Sequence, residues 1–452
     1  MTASDTSLPA GALERISEEL TRANRSVSQR YPGDSAARQP VHTVYGGAHL
    51  FSSDIAHKLG AAALKAFDEY APNDTALASI FDIRPAIATR IRPRIVDKLQ
   101  REPVEDFRID FEDGFGTRPD AEEDHFAREA ADQVAKGLAT GTLPSGIGIR
   151  IKTLSEELKG RSLRTLDLFL TALLDKIGTR LPSGFVITLP KITSPAQVGA
   201  LAGACDEIER ARGLTHGALA VEPMVETTQS IFSAEGGVAL PALVAAGNGR
   251  VIGAHFGTYD YTAGLSITAA HQQMTHPACD FAKHVMQVAL AGTPVRLSDG
   301  ATNLMPVGPH RPSGGGVLSE AQRRENGEVV HHAWRVHAAH IRHSLVGGFY
   351  QGWDLHPAQL PSRYAAVYAF FLEGMDAASE RLRNFVAKAA QATLVGDVFD
   401  DAATGQGLLN YFLRSVNCGA MSEAEAIDRS GLTLDELRGR SFVKILANRR
   451  LQ

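Results

Sequence analysis

Acidic side chains crowd one short stretch of the chain, FRIDFEDGFG, at residues 107–116. In its first half, apolar residues alternate with polar ones, which is the period-two pattern of a β-strand. Asp110, Glu112 and Asp113 then follow one another closely, beside two glycines. Carboxylates packed this tightly destabilise a fold unless positive charge lies among them. The stretch therefore predicts a site that brings a cation to the end of a strand.

More charged residues follow other β-rich runs of the chain. They are Arg150, Lys152, Lys191, Glu226, Asp260, Asp299 and His356. A single carboxylate at such a position is more often a helix cap, and Lys191 or Arg150 could pair with a neighbouring acid for structure alone. Gathered in one place, however, these acids and bases exceed what capping needs. A hard divalent cation would relieve the crowding, because Mg²⁺ binds one or two carboxylates and completes its shell with water and substrate oxygens.

Glu226 and Asp260 are the two carboxylates that we expect to bind this ion, since they follow adjacent strands. Mn²⁺ is an alternative ion with the same ligand preference. Zinc is not indicated, because the cysteines lack metal-ligand spacing and the histidines of EVVHHAWRVHAAHIRHSL lie on one helix without a carboxylate pattern. The residues therefore predict a magnesium site.

Eight β-rich runs alternate with amphipathic helical stretches along most of the chain. The runs span residues 43–51, 107–112, 146–152, 185–191, 218–226, 250–257, 294–300 and 348–357. Strand–helix alternation predicts a parallel sheet, and eight units favour an α/β fold of the closed (β/α)8 TIM barrel type. An open doubly wound sheet is the alternative. In a barrel the carboxyl ends of the strands meet at one face, which would bring the charged residues together.

Segments at both ends extend this α/β core. We expect an N-terminal helical extension over residues 1–40, a catalytic barrel over 41–375 and a C-terminal helical region over 376–452. In that last region SEAEAID and TLDEL have the spacing of helix capping boxes, and we interpret the whole region as helical. Such an appendage could cover the barrel mouth as a lid or contact another subunit.

The bulk composition excludes several classes of protein. The chain has 452 residues, 44% of them hydrophobic, and a formal net charge of -5, so no basic surface predicts binding to nucleic acid. No apolar run approaches the ~20 residues of a membrane span, and the first residues lack the pattern of a signal peptide. The three scattered cysteines fit buried thiols in a reducing compartment. We therefore expect a cytoplasmic protein whose partners are small molecules.

Seven segments of the chain, in order between about residues 42 and 375, resemble motifs of one known family. They are RIDFEDGF, GIRIK, TLPKI, VETTQSI, GTYDYTAGL, HPACDFAKHVMQVALAGTPVRLSDG and GWDLHPAQL. The family is the HpcH/HpaI aldolase and citrate lyase beta-subunit superfamily, which also includes malyl-CoA lyases and, more distantly, malate synthases. The chain is longer than a citrate lyase beta subunit at both ends, so it resembles an extended, divergent member.

The resemblance implies roles for the charged residues. Glu226 and Asp260 match the positions that ligate Mg²⁺ in the family. Arg150 would bind the carboxylate or the developing enolate of a 2-oxo acid or acyl thioester. Asp110 and Glu112 would order metal-bound waters and orient this arginine.

Further contacts to substrate are expected from Lys191 and Asp299. Lys191 could in principle form a Schiff base, but beside an arginine and a metal we expect an electrostatic or structural role. In some relatives an aspartate from a C-terminal lid supplies the acid/base group. Asp397, Asp400 and Asp401 are candidates for that role by their location.

The activity implied by the resemblance is that of a Mg²⁺-dependent carbon–carbon lyase (an aldolase), or the reverse condensation. The substrate would be a hydroxy acid or its acyl thioester, with coenzyme A as one carrier. Bond cleavage would give the enolate of a 2-oxo acid or acetyl unit, whose charge the metal and the guanidinium stabilise. Thioester hydrolysis on the same metal site is one alternative, and a non-catalytic metabolite-binding barrel is another. Family members commonly form trimers or hexamers, so a homo-oligomer is implied.

Overall fold

The computed structural model contains a closed barrel of eight parallel strands, each paired with the next along the chain and the last with the first. The strands are β1 (His42–Gly47), β2 (Asp106–Asp110), β3 (Gly146–Arg150), β4 (Val186–Leu189), β5 (Ala220–Val225), β6 (Gly253–Phe256), β7 (Arg296–Ala301) and β8 (Gln351–Asp354), and a separate two-stranded sheet contains β9 (Thr393–Val395) and β10 (Val398–Asp400). The closed barrel confirms the predicted (β/α)8 TIM fold and excludes the open sheet. The structure describes residues 7–35, 37–312, 316–387, 393–395, 398–400, 402–439 and 441–450.

Helices surround the barrel and continue beyond its last strand. They are α1 (Ala10–Arg30), α2 (Ile55–Tyr70), α3 (Asp74–Phe81), α4 (Pro85–Arg101), α5 (Asp120–Thr140), α6 (Lys159–Ile177), α7 (Pro195–Arg212), α8 (Thr228–Ile231), α9 (Leu240–Ala246), α10 (Thr258–Gly264), α11 (Pro277–Leu290), α12 (Glu320–Val346), α13 (Leu360–Glu373), α14 (Met375–Ala387), α15 (Ala402–Asn417), α16 (Glu423–Ser430), α17 (Leu434–Arg438) and α18 (Phe442–Arg450). Local sequence explains many of their ends. For example, α7 begins at a capping box formed by Ser194 and Gln197 and ends at Gly213 in the left-handed conformation. The division into segments 1–40, 41–375 and 376–452 stays a prediction.

The C-terminal region is not helical throughout. Both predicted capping boxes form, at Ser422 with Glu425 and at Thr433 with Glu436, and α16 and α17 follow them. Between α14 and α15, however, β9 and β10 pair antiparallel. The prediction of helix was wrong there, because β-branched and aromatic residues flank a Gly-Asp pair, which is a hairpin signal.

The cysteines are buried, as the sequence predicted. Cys205, Cys279 and Cys418 are free and buried, and burial raises the pKa of each thiol to about 12. They are therefore protonated and unreactive at neutral pH. Within the described parts of the chain, no helix is both long enough and apolar enough to cross a membrane.

Alternate residues of each strand face the barrel interior, as the pleat of a strand requires. This interior is polar in its middle layer. The Arg108 guanidinium donates to the Thr188 hydroxyl at 3.0 Å, contacts Asp106, and lies 3.5 Å from Glu222. Most of the intervening strand residues are apolar and buried against the helices, with His42, Asp299 and Asp354 as ionisable exceptions. The strands therefore place charge along the barrel axis and mainly apolar surface between the barrel and its helices.

A fully buried ionic cluster ties β8 to β1 and to the helices behind it. Asp354, the last residue of β8, accepts from the His42 ring at 2.7 Å, and the His337 ring lies 3.0 Å from the same carboxylate. Arg363 of α13 donates to both carboxylate oxygens, at 2.7 Å in the shortest contact. Burial opposes the ionisation of Asp354, but Arg363 and the two histidines outweigh it and hold its pKa well below the ordinary value.

Asp354→Ala should destabilise the fold by about 3–5 kcal/mol, because it leaves the buried Arg363 and two histidines without their shared acceptor. Urea unfolding followed by circular dichroism measures this loss. Asp376→Ala is the control, since it removes an exposed carboxylate paired with Arg429 and should leave the unfolding midpoint unchanged. Equal midpoints for the wild type and Asp354→Ala would contradict the role of the cluster.

Candidate active site

A buried ion pair joins the ends of β2 and β3 at the carboxyl end of the barrel. Asp110 and Arg150 are partners in the strand register, and Arg150 Nε and Nη2 donate to the two Asp110 oxygens at 2.7 and 2.5 Å. Asp110 also accepts the backbone N–H groups of Glu112 at 3.0 Å and Gly114 at 2.7 Å. These contacts use the roughly four acceptor positions of one carboxylate. Asp110 therefore orients Arg150.

Aromatic and sulfur groups surround the same guanidinium. Arg150 Cζ lies 4.9 Å from the centroid of the Tyr45 ring and 5.5 Å from that of Trp353, and Nη1 lies 3.7 Å from the Met224 sulfur. Nη1 is also 3.2 Å from a Glu112 oxygen, and only 2% of the arginine side chain is exposed. Its charge therefore acts in a setting of low dielectric constant. Sequence reasoning missed the three residues that surround it, and the period-two alternation of their strands was the available signal.

Lys191 lies among carboxylates from several strand ends. It follows β4, and its ammonium contacts Glu112, lies 3.0 Å from Asp113 and lies 3.4 Å from Asp260. Its backbone N–H donates to Glu226 at 2.7 Å. Burial opposes the charge, but Glu112 and the other carboxylates outweigh it and raise the pKa of Lys191 above its ordinary value. The positive charge among the crowded acids is therefore supplied by Lys191, together with Arg150.

Glu226 follows β5 and is almost fully buried. Burial and the neighbouring Asp260 raise the pKa of Glu226 to about 7. Asp260 lies in the first turn of α10, where its side chain is 41% exposed. Gly257, between β6 and α10, makes room for the glutamate, because a Cβ at this position would overlap the Glu226 carboxylate.

The donor set at this mouth fits a hard divalent cation. Glu226 and Asp260 offer carboxylate oxygens from adjacent strand ends, and the backbone leaves space for the first of them. Two acids that oppose each other's ionisation are stabilised by a cation between them. Glu226 and Asp260 are therefore the residues that could hold Mg²⁺ or Mn²⁺.

A compact group of ligand-type side chains lies elsewhere, on α7 and in the loop that follows it. The ligand atoms of Asp206, Glu209 and His216 lie within 4.8 Å of one another. Arg250 already binds this group, since it donates to Glu209 at 2.6 Å and contacts Asp206. The group is thus neutralised by a buried arginine, and we assign no ion to it.

Asp299 is not brought together with the other predicted site residues. It is fully buried and accepts from Lys283 at 3.1 Å and from Ser344 at 2.6 Å, which belong to α11 and α12. Its second oxygen accepts the Gly300 N–H at 2.8 Å. Sequence reasoning placed Asp299 at the end of its strand, but β7 continues to Ala301. The contacts with α11 and α12 show that Asp299 lies on the side of the strand that faces the helices.

Other polar residues singled out from the sequence have structural partners. His356 caps a short helix by accepting the Ala358 N–H at 3.1 Å. Lys152 donates to the Phe111 carbonyl and so supports the acidic loop after β2.

Of the three candidate lid aspartates, Asp397 and Asp401 lie outside the described residues and Asp400 ends β10.

A cavity of about 740 Å³ lies at the opposite, amino-terminal end of the barrel strands. Its charged lining is internally paired. Arg94 donates to Glu425 at 2.7 Å, and Lys98 donates to the buried Glu105 at 2.6 Å. Because these cations are already neutralised, we place the candidate active site at the carboxyl end of the strands instead.

Fold and site together define a (β/α)8 barrel with a charged site at the carboxyl ends of its strands. The chain belongs to the family described as a domain of unknown function, DUF6986, whose model matches residues 20–445. A citrate lyase from Burkholderia xenovorans LB400 is structurally similar, with 17% identity, a TM-score of 0.55, and coverage of 87% of this chain and 98% of that one. The lead(II) complex of Haloferax volcanii malate synthase has 15% identity, a TM-score of 0.45, and coverage of 90% and 99%. A comparison with curated proteins finds no match.

Gly257→Ala should displace the Glu226 carboxylate, because the added methyl group overlaps it. We expect the affinity for Mg²⁺, measured by isothermal titration calorimetry, to fall about 10–100-fold while the fold is retained. Gly264→Ala is the matched control, since a Cβ at this end of α10 meets nothing within 4 Å. Wild-type affinity in Gly257→Ala would contradict the assignment of Glu226 as a ligand.

Proposed function

We propose that the protein is a Mg²⁺-dependent carbon–carbon lyase, or a catalyst of the reverse condensation, acting on a hydroxy acid or its acyl thioester. One observation carries this proposal: most residues expected at the site from sequence form a single network of hydrogen bonds and ion pairs. The members are Asp110, Glu112, Arg150, Lys191, Glu226 and Asp260. Membership of the HpcH/HpaI and citrate lyase beta-like superfamily belongs to the proposal, and the fold shared with the Burkholderia citrate lyase supports it.

Arg150 is the group that would stabilise the charge developed in lysis. In this step the substrate hydroxyl loses its proton to solvent and becomes the carbonyl of one fragment, while the carbon–carbon bond breaks and its electron pair moves toward the carbonyl oxygen of the other fragment, which leaves as an enolate. A buried guanidinium held by Asp110 is already oriented, so it stabilises that oxygen without reorganising. Because the charge grows on the way to the transition state, the contact lowers the barrier more than it stabilises the bound substrate.

Glu226 and Asp260 would hold the Mg²⁺ or Mn²⁺ ion. When bound, such an ion supplies Lewis-acid stabilisation to a substrate oxygen. Glu112 contacts both Arg150 and Lys191, so it links the two cationic side chains of the site. Lys191 carries a raised pKa and is protonated, whereas Schiff-base formation needs a neutral amine. Its role in this proposal is to bind an anionic substrate group.

The partner that this site fits is a small 2-oxo or hydroxy acid, either free or as an acyl-CoA thioester. Its carboxylate and carbonyl oxygens match a guanidinium and a hard cation, which both bind oxygen anions strongly. A cytoplasmic location and a homo-oligomer, trimeric or hexameric, belong to the same proposal. The helices after α13 are then the segment that would meet a neighbouring subunit, because α15 and α16 contact their own barrel at its amino-terminal end.

Titration calorimetry of the metal-stripped protein tests the proposal. Pyruvate, glyoxylate and oxaloacetate are titrated with and without Mg²⁺ into the wild type and Glu226→Gln. We expect Mg²⁺-dependent binding of at least one oxo acid, and its loss in Glu226→Gln, which keeps the side-chain size but removes the charge that holds the ion. If none of the three acids bound under either condition, oxo-acid enolate chemistry would be disfavoured and acyl thioesters would be examined next.

Arg150→Lys should show whether substrate binding depends on the orientation of the Arg150 side chain or only on its positive charge. Lysine keeps the positive charge but cannot donate to Asp110 in the bidentate manner of arginine. We expect oxo-acid affinity to fall about 10–100-fold, the equivalent of one hydrogen bond to a charged group. Arg118→Lys, which alters a half-buried arginine paired with Glu122, is the control and should bind as the wild type does. Equal affinities in all three proteins would rule out Arg150 as the substrate-binding group.

Product analysis distinguishes the remaining chemistries. Lysis of a hydroxyacyl thioester yields two carbon fragments, whereas thioester hydrolysis releases the intact acid. We expect two fragments. Release of the intact acid would replace the lyase proposal with thioester hydrolysis, and ligand binding without turnover would favour a non-catalytic metabolite-binding barrel.

A further inference from the structure

Lys191 has a backbone conformation that lysine rarely adopts. Its φ is 50°, in the left-handed region, which favours glycine. Such strain persists where surrounding contacts enforce it, and it concentrates at functional sites. Here the conformation allows one residue to act in two directions, because its N–H holds Glu226 while its ammonium reaches Asp260. Both proposed metal ligands are therefore held by the same residue.

The charges around Lys191 do not balance. Its ammonium faces Glu112, Asp113 and Asp260. Arg150 is the second cation of the site, but both of its strongest hydrogen bonds go to Asp110. Because the carboxylates outnumber the two cations, the site retains a negative charge that a divalent ion would offset.

A divalent ion and this ammonium would compete for one carboxylate. The ammonium lies 3.4 Å from an oxygen of Asp260. A Mg²⁺ ion binds its carboxylate ligands at about 2.1 Å, so two cations sharing this carboxylate would repel each other strongly. The contacts of the ammonium with Glu112 and Asp113 are shorter, so it retains partners if it leaves Asp260.

We propose that Lys191 is a built-in counter-cation of the metal site, which holds Asp260 before the ion arrives and withdraws from it when the ion binds. The inference rests on the proposed function, in which Glu226 and Asp260 bind the ion. The withdrawn ammonium then gains a partner when a substrate carboxylate enters. Metal and anionic substrate therefore strengthen each other's binding, and by linkage the effect is reciprocal.

Lys191→Met tests the counter-cation, since methionine keeps the length of the side chain and removes the charge. We expect Mg²⁺ to bind the metal-stripped variant at least about tenfold more tightly than it binds the wild type, by titration calorimetry. We also expect the midpoint of thermal unfolding to be lower in chelator and to recover when Mg²⁺ is added. Lys159→Met removes an exposed charge after the neighbouring strand, paired with Glu156, and should match the wild type in both measurements. Lys191→Gln serves the same comparison if the methionine variant does not fold.

The outcomes separate this inference from the proposed function. Wild-type or weaker Mg²⁺ affinity in Lys191→Met, with clear binding by the wild type, would overturn the counter-cation and leave the metal site standing. Mg²⁺ binding by Lys191→Met but not by the wild type would give the counter-cation its strongest support. Absence of binding in both proteins would overturn the metal site and the counter-cation together. Pyruvate should tighten Mg²⁺ binding more in the wild type than in Lys191→Met, and an equal effect in the two proteins would also overturn the inference.

Discussion

The buried pair of Asp110 and Arg150 is the interaction on which the rest of the site depends. An isolated charge inside a barrel costs several kcal/mol, so the arginine can stay there only with a well-placed partner. Asp110 provides two hydrogen bonds to it, and the backbone N–H groups of Glu112 and Gly114 hold Asp110 in turn. The loop after β2 therefore folds around this carboxylate. That fold delivers Glu112 to the arginine and to Lys191, so one ion pair determines where both cations lie.

The interior of the barrel is polar, so the groups that stabilise the fold differ from the groups that could act on a ligand. Barrel interiors are ordinarily filled by branched apolar side chains. Here Arg108, Glu222 and Arg150 occupy the axis, and buried ion pairs of this kind add little net stability. Net stability must therefore come from the apolar layer between strands and helices. The buried cluster around Asp354 joins β8 to α12 and α13 and is costly to break, because removing one partner leaves the others buried and unpaired. The interior is thereby available for charged groups that act on a ligand.

Sequence patterns predicted the fold and the grouping of most residues of the candidate site because both follow from short-range regularities. The β-rich runs marked all eight strands, and most of the acids and bases at their ends converge because parallel strands end at one face. Asp299 was wrongly grouped with them, because it alternates with Ser298 along β7 and its carboxylate lies on the side of the strand that faces the helices. Tyr45 and Trp353 were not predicted, because aromatic residues in strands usually pack in the core. Only the closed barrel shows which aromatic residues contact an arginine. The left-handed backbone of Lys191 has no sequence signal, since it arises from contacts between distant strand ends.

Several local features of the mouth oppose stability, and they occur together. Glu226 is buried with a pKa raised to about 7, and Lys191 has a strained backbone that glycine would relieve. Carboxylates outnumber cations within a few ångströms. Conflicts that meet in one site at the end of the strands indicate a ligand that resolves them at once. A hard cation with an anionic substrate would do so, because the first offsets the acids and the second gives Arg150 and Lys191 a partner.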